Sequence, residues 1–175
     1  MRLLLCFLFC TLLTAGCKKD EKTTEFKLNY ESEATIKAAS PVSLPFEFFT
    51  PPVTTNSESE FEGRNCNLSL IKTVYLGNLD LAILSPEGKN FSFLKNIYIY
   101  ISAEGLDDKL IASKENIDDS VGPQLSLNPT GENLKEYIKQ KTFSIKLKAV
   151  TDETITEDIR ITIDSRYNIK AGLRK

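Results

Sequence analysis

The 175-residue chain contains no histidine and no tryptophan, and it has a single methionine. The absence of histidine excludes the Ser-His and Cys-His pairs of nucleophilic enzymes, as well as metal sites built on imidazole. A phosphate-binding loop of the form G-x-x-x-x-G-K is also absent. The residues that the most common catalytic sites require are therefore missing, and the sequence predicts no cofactor and no metal site.

Long hydrophobic runs are absent except at the start of the chain, where an apolar stretch covers Leu3–Leu13. Its 11 residues are too few for a bilayer span, which needs about 20, but they suit the apolar region of a secretory signal with Arg2 before it. The residues that follow end in Gly16 and Cys17 and resemble a bacterial lipobox, although Thr14 stands where that family prefers Leu, Val or Ile. The resemblance implies cleavage between Gly16 and Cys17 and acylation of Cys17. The alternative is an ordinary signal peptide.

Cysteine is scarce beyond this segment. Of the four cysteines, Cys6 and Cys10 lie inside the predicted signal peptide, residues 1–16, and Cys17 is the predicted lipidation site. Only Cys66 remains, so we predict no internal disulfide and a Cys66 that acts as a small buried residue.

The residues after Cys17 read Lys18-Lys19-Asp20-Glu21. This run resembles the export signal of Bacteroidota lipoproteins, in which a lysine and acidic residues direct the protein to the outer face of the outer membrane. The resemblance implies a lipid-anchored protein on the cell surface. The alternatives are a periplasm-facing outer-membrane lipoprotein and a run that is only a solvated, charged tether.

We divide the rest of the chain into a tether at residues 17–25 and a single domain at residues 26–175. The length suits one domain with a sizeable core. The formal net charge is −2 and no basic stripe is present, so nucleic acid is not an expected partner.

Apolar residues alternate with polar ones through most of this domain, which is typical of strands with one buried face. The pattern is strongest at Ile97, Ile99 and Ile101, with Tyr98 and Tyr100 on the opposite face, and we expect a central strand there. The run Val42–Phe48 also alternates, but Pro45 restricts it to an edge strand or a bulge. We interpret Thr54–Glu62 as an exposed strand or loop.

One segment has a helical period instead. Leu134, Tyr137 and Ile138 are spaced to share one helix face. We predict a short helix over residues 131–140 with Thr130 as its N-cap.

Seven to nine strands with one helix predict an all-β fold, an antiparallel immunoglobulin-like β-sandwich. A β-barrel is the alternative. The segments Phe91–Ser102 and Thr151–Thr154 also resemble those of small lipoproteins of Bacteroidota, and this resemblance implies no particular activity.

Acidic and hydroxyl residues cluster in one loop. Glu115, Asp118 and Asp119 offer oxygen ligands of the kind that hold calcium, but their spacing differs from an EF-hand loop, so an exposed loop is the favoured interpretation. Asp119-Ser120-Val121 resembles the acceptor for protein O-glycosylation in Bacteroidota, which implies a glycan on Ser120.

Two classes of function remain. The favoured one is a non-catalytic binding or structural module, held to the membrane by its lipid, that contacts a protein or glycan partner. Phe46, Phe48 and Phe49 offer such a surface, although core packing is their expected role. The alternative is a hydrolase that uses a carboxylate site in the loops of the sandwich.

Overall fold

The computed structural model describes residues 22–174, so the predicted signal peptide, Gly16, Cys17 and Lys18–Glu21 lie outside it. The described strands are β1 (Thr23–Ile36), β2 (Phe46–Phe49), β3 (Val53–Thr54), β4 (Ile71–Ser85), β5 (Leu94–Ala103), β6 (Leu106–Lys114), β7 (Gln124–Ser126), β8 (Asn128–Pro129), β9 (Thr142–Thr151) and β10 (Ile159–Gly172). The helices are α1 (Ser57–Glu62) and α2 (Lys135–Ile138), with 3-10 turns at Leu68–Leu70 and Phe91–Phe93. Over this range, neither helix is long and apolar enough to cross a bilayer.

The strands form two antiparallel sheets. The first sheet has the order β1-β10-β4-β7, and the second has the order β2-β9-β5-β6-β8, with β3 also paired to β9. Each sheet keeps its two edges among the described strands, so the predicted antiparallel sandwich is confirmed and the barrel alternative is wrong. β1 begins at Thr23, opposite Gly172, three residues before the domain boundary predicted at Phe26.

The core lies between the sheets and follows the alternation of the sequence. Ile97, Ile99 and Ile101 of β5 are fully buried, while Tyr98 and Tyr100 are half-buried on the outer face. β5 pairs with β9 on one side and β6 on the other, so its prediction as a central strand is confirmed. β2 is an edge strand that begins directly after Pro45, as predicted, because proline cannot donate to a neighbouring strand.

Three aromatic rings meet inside the sandwich. Tyr30 of β1 lies edge-on to Phe143 of β9 and to Tyr167 of β10, with ring centroids 5.3 and 5.7 Å apart. The Tyr30 hydroxyl donates a hydrogen bond of 2.8 Å to the Thr55 carbonyl. This cluster joins the two sheets, since Phe143 belongs to the second and the two tyrosines to the first.

The predicted helix at residues 131–140 is correct in its buried face but too long. Leu134, Tyr137 and Ile138 are buried, yet α2 covers only Lys135–Ile138. Thr130 is not its N-cap, because the Thr130 hydroxyl donates to the Leu110 carbonyl at 3.0 Å. Thr130 is thus bonded to β6, and the Leu134 amide is bonded to the Val74 carbonyl of β4. Only the residues after Leu134 remain to form the helix, which is one turn long.

The interpretation of Thr54–Glu62 as a strand or loop is wrong for Ser57–Glu62, which forms α1. Phe61 is fully buried and lies edge-on to Phe26 of β1, with ring centroids 5.0 Å apart. This contact between residues distant in sequence stabilises a helix that the local pattern did not indicate.

Cys66 follows α1 and is fully buried, as predicted, and its thiol is free among the described residues. Its thiol lies 3.5 Å from the Arg64 carbonyl oxygen. Burial raises the pKa of Cys66, so the thiol stays protonated and unreactive.

Candidate functional site

The outer face of the second sheet carries a group of aromatic and basic side chains. We call it the tyrosine–lysine face and define it by Phe49, Tyr98, Tyr100, Lys146 and Lys148. The strand register places these residues in two neighbouring rows that run across the strands. The rows are Phe49, Lys146, Tyr100 and Leu110, and Glu47, Lys148, Tyr98 and Ser113.

Strand alternation explains why these side chains point outward. Every second residue of β9 and β5 is buried in the core, and Lys146, Lys148, Tyr98 and Tyr100 occupy the positions between them. Phe49 is the most exposed member, with 57% of its surface accessible. The sequence predicted the outward direction of both tyrosines correctly.

An ion-pair network crosses this face. Lys146 Nζ lies 2.6 Å from Asp108 Oδ2 and 3.8 Å from Glu47 Oε1, and its side chain is only 15% exposed. The same ammonium group lies 5.0 Å from the centre of the Tyr100 ring, within the range of a cation–π contact. Lys146 is therefore held by groups from three other strands or strand ends.

The pKa shifts in this network describe a stable ion pair. Hydrogen bonds from Lys146 and Ser102 hold the pKa of Asp108 below its ordinary value. The hydrogen bond to Asp108 in turn raises the pKa of Lys146. At neutral pH the lysine is thus protonated and the aspartate is ionised. Neither group is suited to act as an amine nucleophile or as a general acid.

The second row is held less tightly. The Tyr98 hydroxyl donates a hydrogen bond of 2.7 Å to Glu115 Oε1, and this bond raises the pKa of Tyr98. Lys148 forms no ion pair with any residue from 22 to 174. The face therefore presents one cation fixed by ion pairs and a second, partly exposed cation, Lys148, without an ion pair in the described part of the chain.

Next to the face, the chain around β2 exposes apolar side chains. Three of the five large exposed hydrophobic residues of the described chain lie there, namely Val42, Leu44 and Phe49. Phe46 and Phe48 are half-buried, pack against the core and stack at 5.8 Å. The sequence offered Phe46, Phe48 and Phe49 as a binding surface, and of these only Phe49 is exposed.

The outer face of the first sheet has a different character. Lys170 pairs with Glu25 at 2.9 Å and Arg160 pairs with Glu33 at 2.8 Å, both between β1 and β10. Its exposed aromatic residue is Tyr75, which is 40% accessible. Paired surface charges of this kind are common and weakly stabilising, so this face is a poorer candidate for a binding site.

A cleft of about 580 Å³ lies between β6 and α2. Its carboxylates belong to Asp107, Asp108, Glu132 and Glu136. Asp108 pairs with Lys146, Glu132 with Lys109 and Glu136 with Lys139, the last two at 3.1 Å. A glycosidase needs one carboxyl group with a raised pKa, whereas the pKa of Asp108 is lowered. The cleft therefore gives no support to the hydrolase alternative.

Ser120 is exposed in the loop between β6 and β7. Its amide donates to Asp118 Oδ1 at 2.8 Å and its hydroxyl donates to the same atom. These bonds lower the pKa of Asp118. Ser120 is thus accessible, and its O-glycosylation stays a prediction.

The acidic residues of this loop do not converge. Glu115 accepts the Tyr98 hydroxyl and Asp118 accepts Ser120. Within residues 22–174, no group of three or more Asp, Glu, Cys or His side chains is placed to hold a metal ion. Calcium binding by Glu115, Asp118 and Asp119 is therefore not supported by the described part of the chain.

Sequence reasoning missed the partners of Lys146. The alternation Phe143, Ile145, Leu147 already places Lys146 and Lys148 on the outer face, so that signal was available. The contact with Asp108 could not be inferred from the sequence, because it depends on the register of β6 against β5. That register shifts between Ile99 and Tyr100.

Comparison with known proteins identifies no family. No protein-family model and no curated protein matches the chain. Among solved structures, the chain is similar to the arabinose-bound α-L-arabinofuranosidase MgGH51. The identity is 14%, the TM-score is 0.30, and the match covers 82% of this chain but only 23% of that enzyme. A similarity of this size does not bear on the activity of the chain.

Proposed function

We propose that this protein is a lipoprotein anchored through acylated Cys17 in the outer membrane and displayed on the cell surface. There it acts as a non-catalytic binding module, and the tyrosine–lysine face is its contact surface. Gly16 and Cys17 form the cleavage site, and Lys18, Lys19, Asp20 and Glu21 form the export signal.

The anchor is supported by the order of features at the start of the chain. A basic residue, a short apolar run, small residues and Cys17 follow one another in the order of a lipobox signal, with Thr14 as the one departure from the pattern. β1 begins at Thr23, so only five residues separate Cys17 from the folded sandwich. Two or three acyl chains on one cysteine make a long-lived anchor, because each buried methylene contributes about 0.8 kcal/mol.

The binding role is supported by the contrast between the two outer faces. The first sheet carries two ion pairs between β1 and β10, while the second sheet exposes Phe49 beside two tyrosines and Lys148, which has no ion-pair partner among residues 22–174. Aromatic side chains with a polar end are enriched at recognition surfaces, since they combine apolar area with hydrogen bonding. The exposure of Phe49 is the observation that carries this part of the proposal.

The anchor is tested by the intact mass of protein extracted from membranes. We expect the native chain to show a mass increase equal to its acyl groups, and we expect Cys17→Ala to lose both this increase and its membrane association. Cys66→Ala is the matched control, because it also removes one cysteine and is expected to keep the lipid. An unmodified chain in the soluble fraction would contradict the proposal.

Surface display needs a separate test. Protease added to whole cells is expected to cleave the native protein. A variant with Asp20→Ala and Glu21→Ala is expected to stay in the membrane but to resist cleavage, because its export signal is lost. Protection of the native protein in intact cells, with cleavage after lysis, would favour the periplasm-facing alternative.

A further inference from the structure

We propose that the tyrosine–lysine face binds an extended, uncharged polysaccharide chain. This inference rests on the proposed function and deepens it, since it names the chemical class of the partner. It depends on the charge balance of the face, on its shape and on the way its polar groups are held.

The face carries no excess of positive charge. Lys146 and Lys148 stand against Glu47 and Asp108 in the same two rows and the adjoining β6, and Glu115 lies at the margin bonded to Tyr98. A balanced face does not attract polyanions such as nucleic acids or acidic polysaccharides, whose binding relies on an excess of cations. A neutral ligand is the one that matches this distribution.

The same charged groups argue against a protein partner. The centre of a protein–protein interface is poor in lysine, glutamate and aspartate because their desolvation is costly. Here Lys146 lies inside one of the two rows, and Asp108 of the adjoining β6 is 2.6 Å from it. A sugar chain carries hydroxyl groups that both donate and accept hydrogen bonds, so it can keep these charged groups solvated while it covers them.

The shape of the face suits a chain rather than a small molecule. The outer surface of a sheet is open, and adjacent strands lie about 4.8 Å apart, so the row from Phe49 to Leu110 extends over roughly 14 Å across four strands. Phe49 offers exposed apolar surface to the C–H faces of sugar rings, and the half-buried Tyr100 lies in the same row with the Lys146 ammonium over its ring. Tyr98 stands beside them in the neighbouring row.

The polar groups are also fixed before binding. Lys146 is held by Asp108, Glu47 and the Tyr100 ring, and Tyr98 is held by Glu115. Side chains that are already ordered cost less entropy when a ligand binds. Fixed donors and acceptors between aromatic rings are what a hydroxyl-rich chain needs for a defined orientation.

The test is affinity electrophoresis of the whole chain, purified from membranes in detergent. The native gels contain arabinoxylan, mannan or mixed-linkage β-glucan as neutral polymers, alginate as the acidic polymer, or no polymer. We expect at least one neutral polymer to slow migration, while alginate does not. Phe49→Ala and Tyr100→Ala are expected to weaken this retardation about tenfold. Tyr75→Ala on the first sheet is the matched control and is expected to migrate like the native protein.

Three results would overturn the inference: no retardation by any neutral polymer, retardation that Phe49→Ala and Tyr100→Ala leave unchanged, or equal retardation by alginate. Far-ultraviolet circular dichroism of each variant confirms that it is folded. A protein partner whose capture depends on Phe49 would also overturn the inference, while leaving the proposed binding role intact. Loss of the Cys17 lipid would contradict only the anchor.

Discussion

Tyr167 places a hydroxyl group in the middle of the sandwich. The side chain is fully buried, and its hydroxyl has no hydrogen-bond partner among residues 22–174. The Ser165 hydroxyl lies near enough to lower the pKa of Tyr167 against the effect of burial, but it donates its hydrogen bond to the Tyr30 carbonyl, at 3.1 Å. An unpaired buried hydroxyl costs free energy, because water would have solvated it in the unfolded chain.

Removal of this hydroxyl should therefore not harm the protein. We expect Tyr167→Phe to leave the free energy of unfolding unchanged or to raise it by about 1 kcal/mol. Tyr30→Phe removes a hydroxyl that is bonded to Thr55, so we expect it to lower that free energy by about 1 kcal/mol. Urea denaturation of both variants measures the difference. An equal loss in the two variants would mean that Tyr167 is satisfied, for example by a buried water molecule.

At the scale of single elements, the short helix α2 depends on a residue just before it. Asn133 Oδ1 accepts hydrogen bonds from the Val74 amide at 3.1 Å and from the Lys135 amide at 3.2 Å. One side chain thus satisfies the first turn of α2 and also ties it to β4. Thr130 was predicted as the N-cap because it follows a proline and precedes the apolar spacing, but Leu134 occupies the N-cap position, and Asn133 just before it accepts from the first helical amide.

We expect Asn133→Ala to lower the free energy of unfolding by about 1–2 kcal/mol, since it leaves the first amide of α2 and a partly buried amide of β4 without their hydrogen-bond acceptor. The control is Asn78→Ala, because Asn78 is exposed on the outer face of β4. Thermal and urea unfolding of both variants provide the measurement. Equal stability of the two would show that the bonds of Asn133 are replaced by water without loss.

The strands were predictable from the sequence because alternation is a local property. Most residues of β5 and β9 show their burial by their own polarity, apart from residues such as the buried Thr151, so the Ile97–Ile101 strand and the outward tyrosines could be inferred directly. Helix α1 could not be inferred from the sequence, because it depends on the packing of Phe61 against Phe26. The Lys146–Asp108 pair could not either, because strand register is a property of two strands together.

At the scale of the whole molecule, the aromatic cluster makes the sandwich sensitive to alkali. Burial raises the pKa of Tyr167 to about 12, and burial together with the neighbouring Tyr167 also raises the pKa of Tyr30. In the unfolded chain both tyrosines ionise at about pH 10. The unfolded state therefore loses its protons first as pH rises, so this contribution to stability is complete below pH 10 and declines above it.

We expect the free energy of unfolding to fall above about pH 10. Each tyrosine that has lost its proton in the unfolded state but keeps it in the folded state contributes a slope of about 1.4 kcal/mol per pH unit. Urea denaturation between pH 8 and 12 measures this slope, which should flatten in the Tyr30→Phe/Tyr167→Phe variant. A native-state titration in which all tyrosine absorbance changes centre on pH 10 would contradict the prediction.

The pairing of β1 with β10 has a mechanical consequence. The two strands run antiparallel over all 14 residues of β1, and the Leu173 amide still bonds to the Lys22 carbonyl at 3.0 Å beyond them. If Cys17 holds the chain to the membrane and a ligand pulls on the second sheet along the direction of the strands, the load enters through the first residue of β1 and acts along its axis. The whole ladder then bears the force in shear at once, rather than opening rung by rung, so the strand next to the tether is also the one best placed to resist detachment.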